Sequence, residues 1–495
     1  MGDRTTVRRL VVGLGTKLGA DVLRTASKGL LLLVLTRYLL TPEEFGLLFF
    51  AMSALAVAQL GANLGFAKST ARYVSDYAQG DESQIRHVLR AGVAYNLTTV
   101  AIVGILLTGF GREIAALLDE PALAPLLALG PLFVLATSLR MFARTAFQGF
   151  NEVWWSALVS TVSSVAQFAL VVGLVVLDYG VVGAFAGYIG AAALASVVGF
   201  AVLYRRFYRR LPEAESVEDD LKSRVLRYSF PLAATRGAGV LTGRVDQLLV
   251  GYFMTPAAVG FYTLGKQISE FVMMPAVSLG FVVSPAYGSE QAGDRSERAS
   301  RLYEKSFENI VLLYVPAACG LALVAEPAIR LVIGSSYLGA VPVVQILSVF
   351  VVVKAVDKIT NDGLDYLGRA RARAVVKSAG AVSNFALNVA LIPVMGVAGA
   401  ALATVVTTSG VVAVNVYLVA QELDLSLVNL AETTARVVGV TVVMAGVVWL
   451  ALPLVSGLPS LLAVVAAGAV VWAVLSLLGG LIDTDDIETV LANVA

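Results

Sequence analysis

Runs of about twenty mainly apolar residues recur along almost the whole chain, and that recurrence constrains the fold more than any other feature. Wound as a helix, a run of this length matches the hydrocarbon thickness of a bilayer. About fourteen such segments are predicted, near residues 17–39, 45–67, 91–110, 125–147, 157–177, 181–203, 229–252, 258–283, 307–325, 340–362, 375–394, 397–420, 436–453 and 460–481. Lipid offers no partner to a free backbone N–H or C=O, and no strand-like alternation is present, so all of them are expected to be helices. A soluble alternative fails on composition: 58% of the 495 residues are hydrophobic and 14% charged, whereas an ordinary soluble domain carries about 25% charged residues. The predicted fold class is therefore an all-α integral membrane protein. Connections at 40–44, 178–180, 253–257 and 394–397 are so short that the spans they join must be antiparallel hairpins.

Orientation follows from lysine and arginine, which concentrate on cytoplasmic segments. With the N-terminus inside, the inner segments hold Arg4, Arg8, Arg9, Lys68, Arg72, Arg86 and Arg90, and Tyr204–Arg227 adds a further seven. Arg295, Arg298, Arg301, Lys305, Arg369, Arg371, Arg373 and Lys377 continue the pattern, while the outer segments hold only Arg112 and Arg330. Both termini are predicted to be cytoplasmic. The first apolar run is too long for a signal-peptide core and is followed by further spans, so no cleaved signal is expected.

The charged segment RRFYRRLPEAESVEDDLKSR separates six spans from the next six, and the two halves echo each other. YLLTPEEFG from Tyr38 resembles YFMTPAAVG from Tyr252, an offset of 214; FAL at Phe168 matches FAL at Phe385, an offset of 217; GVVGA from Gly180 matches GVAGA from Gly396. A tandem duplication explains the nearly constant offset. Because six is even, both copies face the same way, which builds two pseudo-symmetric lobes with a substrate site between them. The expected organisation is an N-lobe at 1–204, a cytoplasmic linker at 205–228, a C-lobe at 229–420, and two further spans with a tail at 421–495.

An ionised side chain placed mid-bilayer costs at least a few kcal/mol, so such residues face a cavity or one another. Asp21, Arg24 and Lys28 share one stripe of the first span, by their i, i+3, i+7 spacing. Arg236, Arg244 and Asp246 occupy the seventh span, which the duplication makes equivalent to the first, and Lys266 and Glu270 share a face of the eighth. Lys354, Asp357 and Lys358 cluster in the tenth, where self-neutralisation and a ligand role are both open. Arg37, Arg140 and Arg144 lie near predicted span ends and read as interfacial side chains whose heads reach water. The candidate substrate-binding cations are Arg24, Lys28, Arg236, Arg244 and Lys266, lining a cavity suited to an anion because guanidinium forks onto phosphate oxygens. Asp21, Asp246, Glu270 and Asp357 are candidates for ion coupling or for holding those cations in place.

Other signals carry less. Cys319 and His87 are the only residues of their types, so no disulfide, thiolate cluster or multi-histidine metal site is expected. No cofactor is predicted. A net charge of +1 gives no reason to expect nucleic acid. GLGTKLG at Gly13 follows no strand and has the wrong spacing for a phosphate loop. GxxxG pairs such as Gly61–Gly65 and Gly239–Gly243 read as close helix packing. Trp154 and Trp155 read as interfacial anchors.

The six-span halves, the TRYLLTPEEFG junction and SNFALNVALIPVMGVAGAALAT at Ser383–Thr404 resemble polysaccharide-biosynthesis flippases of the multidrug/oligosaccharidyl-lipid/polysaccharide exporter superfamily. The resemblance covers roughly residues 10 to 420, and the last two spans fit the fourteen-span members. It implies a two-lobed transporter working by alternating access, not an enzyme. Its substrate would be an oligosaccharide on an undecaprenyl or dolichyl phosphate carrier, its location the cell membrane, and glycan-assembly enzymes its partners. Arg24, Lys28 and Arg244 would be the phosphate-binding positions. A drug/cation antiporter of the same superfamily would favour acids where bases prevail here. A membrane-embedded glycan polymerase would offer a larger polar outer loop than 111–124.

Overall fold

The computed structural model describes residues 24–213, 216–273, 295–423 and 425–481, and among them every regular element is helical. Where the expected spans fall on described residues they are mainly helical, although residues 17–23 and 274–283 of the first and eighth lie outside that set. By length and apolarity alone, nine described segments qualify as membrane-crossing, or ten if a bent pair counts as one span. By contacts the chain divides into two compact units, Met1–Gly260 and Phe261–Ala495.

In the first unit, α1 (residues 24–34) runs into a wider π turn at Leu35–Leu39. The chain then enters α2 (Pro42–Ala62) through a capping box: Thr41 accepts from the Glu44 N–H, and the Glu44 carboxylate accepts from the Thr41 N–H at 2.9 Å. Pro42 suits the first helical position because its missing N–H has no intrahelical partner there. The predicted second span, 45–67, is in fact broken. Asn63–Gly65 interrupts it, Gly65 adopts φ +84, and α3 (Phe66–Tyr77) follows. Gly65 is needed at this point: a Cβ there would lie 2.9 Å from Leu232 Cβ and closer still to the Ser229 carbonyl.

Next come α4 (Ile85–Leu117), the short α5 (Ala124–Ala128) and α6 (Gly130–Gly149), the last two meeting at a 49° bend. α7 (Val153–Leu174) and α8 (Gly180–Val202) form a hairpin through a turn in which Asp178 and Gly180 take positive φ. α6 is the centre of the unit, packed on α3, α4, α7 and α8. Phe142, Phe147 and Phe185 are fully buried around it. The long α9 (Leu221–Phe253) lies against α2, α3 and α4.

The segment between α8 and α9 is tied down against α3 and α4. Arg86 pairs with Glu213 at 2.6 Å, Gln84 bonds Ser216 and the Glu218 N–H, and Glu218 accepts from both Tyr77 and Arg224. Those bonds, that from Tyr77 first, hold the Glu218 carboxyl below its usual range, while burial and the neighbouring Glu218 push the Tyr77 phenol up.

The second unit comprises the rest of α10 (Pro256–Val272), α11 (Arg295–Ala328), α12 (Val341–Tyr366), α13 (Ala370–Met395), α14 (Val397–Leu423), α15 (Leu427–Ala451) and α16 (Leu458–Leu478). Its core is built on buried tyrosines whose hydroxyls are all the more in need of partners for being away from water. Tyr303 shares a 3.0 Å bond with Thr360, and Tyr262 one of 3.2 Å with Thr404. The last two helices are not loosely appended: α15 packs along α11, and α16 on α15 and α11.

Both units turn large apolar side chains outward, as at Ile105 (72% exposed) and Val394 (82%). Exposed apolar surface on this scale is what a bilayer covers and water does not. The protein is multi-pass and membrane-embedded.

Candidate functional site

In the first unit the candidate cations sit on α1 and α9. Arg24 is half-buried and Lys28, one turn further, is exposed; Asp21 lies outside the described residues. Arg236 falls on α9, with its side chain outside the described set. Arg244 is half-buried and anchored. Its Nη1 donates to Gln247 Oε1 at 3.0 Å, and the same oxygen accepts from Ser53 Oγ of α2 at 2.8 Å. Ser53 and Gln247 are buried, so one amide oxygen fixes the guanidinium and joins α9 to α2. A bond to a charged group in such a setting contributes about 1.5–3 kcal/mol. Asp246, adjacent to this bridge in sequence, is also buried.

In the second unit Lys266 lies over the Tyr262 ring, 5.9 Å from its centroid, with Glu270 exposed one turn on. Asp357 accepts from Lys354 at 2.7 Å and from Asn361 at 2.8 Å, and Lys358 pairs with Asp362. The tenth-span charges therefore hold one another along a single helix. A second polar set joins α13 and α14, where Asn388 bonds Asn384 Oδ1 at 3.1 Å and Asn384 reaches Thr407. Among the described residues no group of three or more histidine, cysteine, aspartate or glutamate side chains is arranged to hold a metal.

Three of these features escape sequence reading. Ser53 and Gln247 are neutral, and nothing in their local pattern marks one as the orienting partner of an arginine on another helix. Arg140 reads as interfacial when the fourth span is drawn at 125–147. In the structure it lies ten residues into α6 and nine from its end. Its Nε is buried without an acceptor.

A family model described as polysaccharide biosynthesis protein matches residues 34–342, more than half of the chain. The chain belongs to this polysaccharide biosynthesis family. Among similar relatives of the family member described here, an uncharacterized membrane protein of Methanocaldococcus jannaschii is 23% identical over 79% of this chain and 94% of its own. The probable low-salt glycan biosynthesis flippase Agl15 of Haloferax volcanii is 26% identical over 36% of this chain and 38% of its own. Among solved structures, the lipid II flippase MurJ in an inward closed conformation superposes with a TM-score of 0.76 at 15% identity, covering 94% of this chain and 98% of its own. An inward-facing multidrug resistance transporter of the MATE family gives 0.63 at 14% identity, over 85% and 99%. At these identities the solved structures establish the fold alone.

Proposed function

We propose that this chain is a flippase that carries a lipid-linked oligosaccharide from the cytoplasmic to the outer leaflet by alternating access. The observation that carries the reading is an arginine, Arg244, held by Gln247 and Ser53 within apolar helices of a polysaccharide biosynthesis family member. A cation kept inside a membrane protein at such cost marks a substrate path.

In this mechanism the (pyro)phosphate of the carrier enters from the cytoplasmic side and meets Arg24, Lys28 and Arg244, with Arg236 as a further contact. The polyprenyl tail stays in lipid. The two six-span lobes then rock and release the glycan outside. A ligand drives such a change only by binding the two states differently, so the cations must hold the phosphate more tightly in one state than in the other. Asp246, Glu270 and Asp357 balance the charge or take up a coupling ion. The carrier is of the undecaprenyl or dolichyl type, the membrane is the cell membrane, both termini are cytoplasmic, and glycan-assembly enzymes act on either side. Fluorescent oligosaccharide on a polyprenyl pyrophosphate, reconstituted with the protein in vesicles, tests the reading. Transfer to the protected leaflet is expected, and vesicles indistinguishable from protein-free ones would refute it.

A further inference from the structure

Arg140 stands ten residues after the start of α6 and nine before its end, at the middle of a helix in the interior of the first unit. Its Nε is enclosed with no acceptor, and among the described residues it has no carboxylate partner. The residue as a whole is only half-buried, so the guanidinium tip is not enclosed. Burying one end of an arginine without an acceptor is costly.

The surroundings are polar in a specific way. Thr137, one turn earlier on α6, takes a hydrogen bond from Gln59 of α2, and Leu55 of α2 faces Gly130. The two helices therefore run in the same direction. Three residues on from Thr137 and four on from Gln59 advance by similar distances at about 1.5 Å per residue, which sets Arg140 level with Asn63, where α2 breaks. Asn63 is buried; its Oδ1 accepts from Asn96, and its Nδ2 has no acceptor. Arg144, one turn beyond Arg140 on the same face, adds a second positive charge. Two donors without acceptors thus lie at one level, beside an interrupted helix, with cations and no acid on the adjoining turn of α6. Interrupted helices of transporters are where ligands meet backbone and polar side chains.

We infer that Arg140, with Asn63 and Arg144, forms a second anion-binding station for a phosphate or pyrophosphate group, separate from the Arg244 bridge. The inference deepens the flippase reading and rests on it for the identity of the ligand. The station takes the headgroup phosphate at a different point of its passage.

The test uses the full chain in phosphatidylcholine nanodiscs and measures the affinity for farnesyl pyrophosphate and for inorganic pyrophosphate. Arg140→Gln is expected to weaken binding about tenfold or more, the loss of one charge-assisted bond. Arg140→Lys, which keeps the charge, is expected to retain most of the affinity, and an unchanged thermal midpoint shows that each variant is folded. Binding of farnesyl pyrophosphate alone assigns the station to a lipid-linked group, whereas equal binding of the inorganic ion assigns it to a soluble phosphate. Wild-type affinity in a folded Arg140→Gln overturns the station. If that affinity depends on Arg140 while vesicles show no glycan transfer, the station stands and the flippase reading falls.

Discussion

Gly46 and Gly260, at equivalent positions of the two sequence repeats, pack backbone to backbone, each against the other repeat's proline carbonyl. A Cβ on Gly46 would lie 2.8 Å from the Gly260 nitrogen and would collide with the Pro256 carbonyl. A Cβ on Gly260 would collide with the Pro42 carbonyl and lie 3.4 Å from Gly46 Cα. The YLLTPEEFG and YFMTPAAVG junctions thus meet reciprocally.

Backbone cannot move aside as a flexible side chain can, so Gly46→Val and Gly260→Val should each force the junction open. Overpacking of this kind costs about 1–3 kcal/mol, and the thermal midpoint should fall by a few degrees. The contrasting substitution is Gly237→Ala, whose added Cβ would meet nothing within 4 Å. A midpoint for Gly46→Val equal to that of Gly237→Ala would contradict the packing.

Gln247→Leu should remove the 3.0 Å bond that Arg244 donates to Gln247. Ser53 keeps its 2.8 Å bond to the Phe49 carbonyl, so the damage falls on the guanidinium. A stability loss of about 1–3 kcal/mol is expected, together with weaker pyrophosphate binding. Calorimetric titration with denaturation curves checks both, and loss of stability with intact binding would make the bridge purely structural.

Lys354 and Asp357 pair within one helix, and Lys354 is 37% exposed at its side chain. The pair should therefore couple by about 1 kcal/mol or less. Breaking it with Asp357→Asn should cost more than replacing both partners in Lys354→Met/Asp357→Leu, because the double variant leaves no unpaired charge. Retained transport in the double variant identifies a structural pair; lost transport at normal abundance places it on the substrate or ion path.

The linker bonds should be sensitive to acid. Glu218 has a carboxyl pKa below the ordinary 4.5 because Tyr77 and Arg224 donate to it. A group depressed on folding contributes docking stability that is present above its unfolded value and lost as pH falls through the folded one. Docking should therefore be full at pH 6–7 and weaken only below about 4.5. Hydrogen exchange of residues 216–221, corrected for intrinsic rate, should rise in that acid range for the wild type and already be raised at neutral pH in Glu218→Gln.

The spans and their order were readable because each run of apolar residues matches the bilayer and short loops force hairpins. The break at Asn63–Gly65 was not, since Asn63, Leu64 and Gly65 interrupt neither hydropathy nor length enough to divide a segment. Arg140 lies seven residues from the end of the expected span and nine from the end of α6, so the boundary changed little; what the pattern could not show is its buried Nε without an acceptor. Arg24 and Lys28 stood out by their spacing, and Arg244 as a charge within an apolar run. Their orienting partners did not, because Ser53 and Gln247 come together only when α2 and α9 pack.

The central claim is tested most directly by the inner-to-outer leaflet ratio of lipid-linked oligosaccharide in native cells, with and without this protein and with Arg24→Ala and Arg244→Ala at equal abundance. The account predicts inner-leaflet accumulation on deletion, reproduced by both variants. A ratio unchanged by deletion would contradict it.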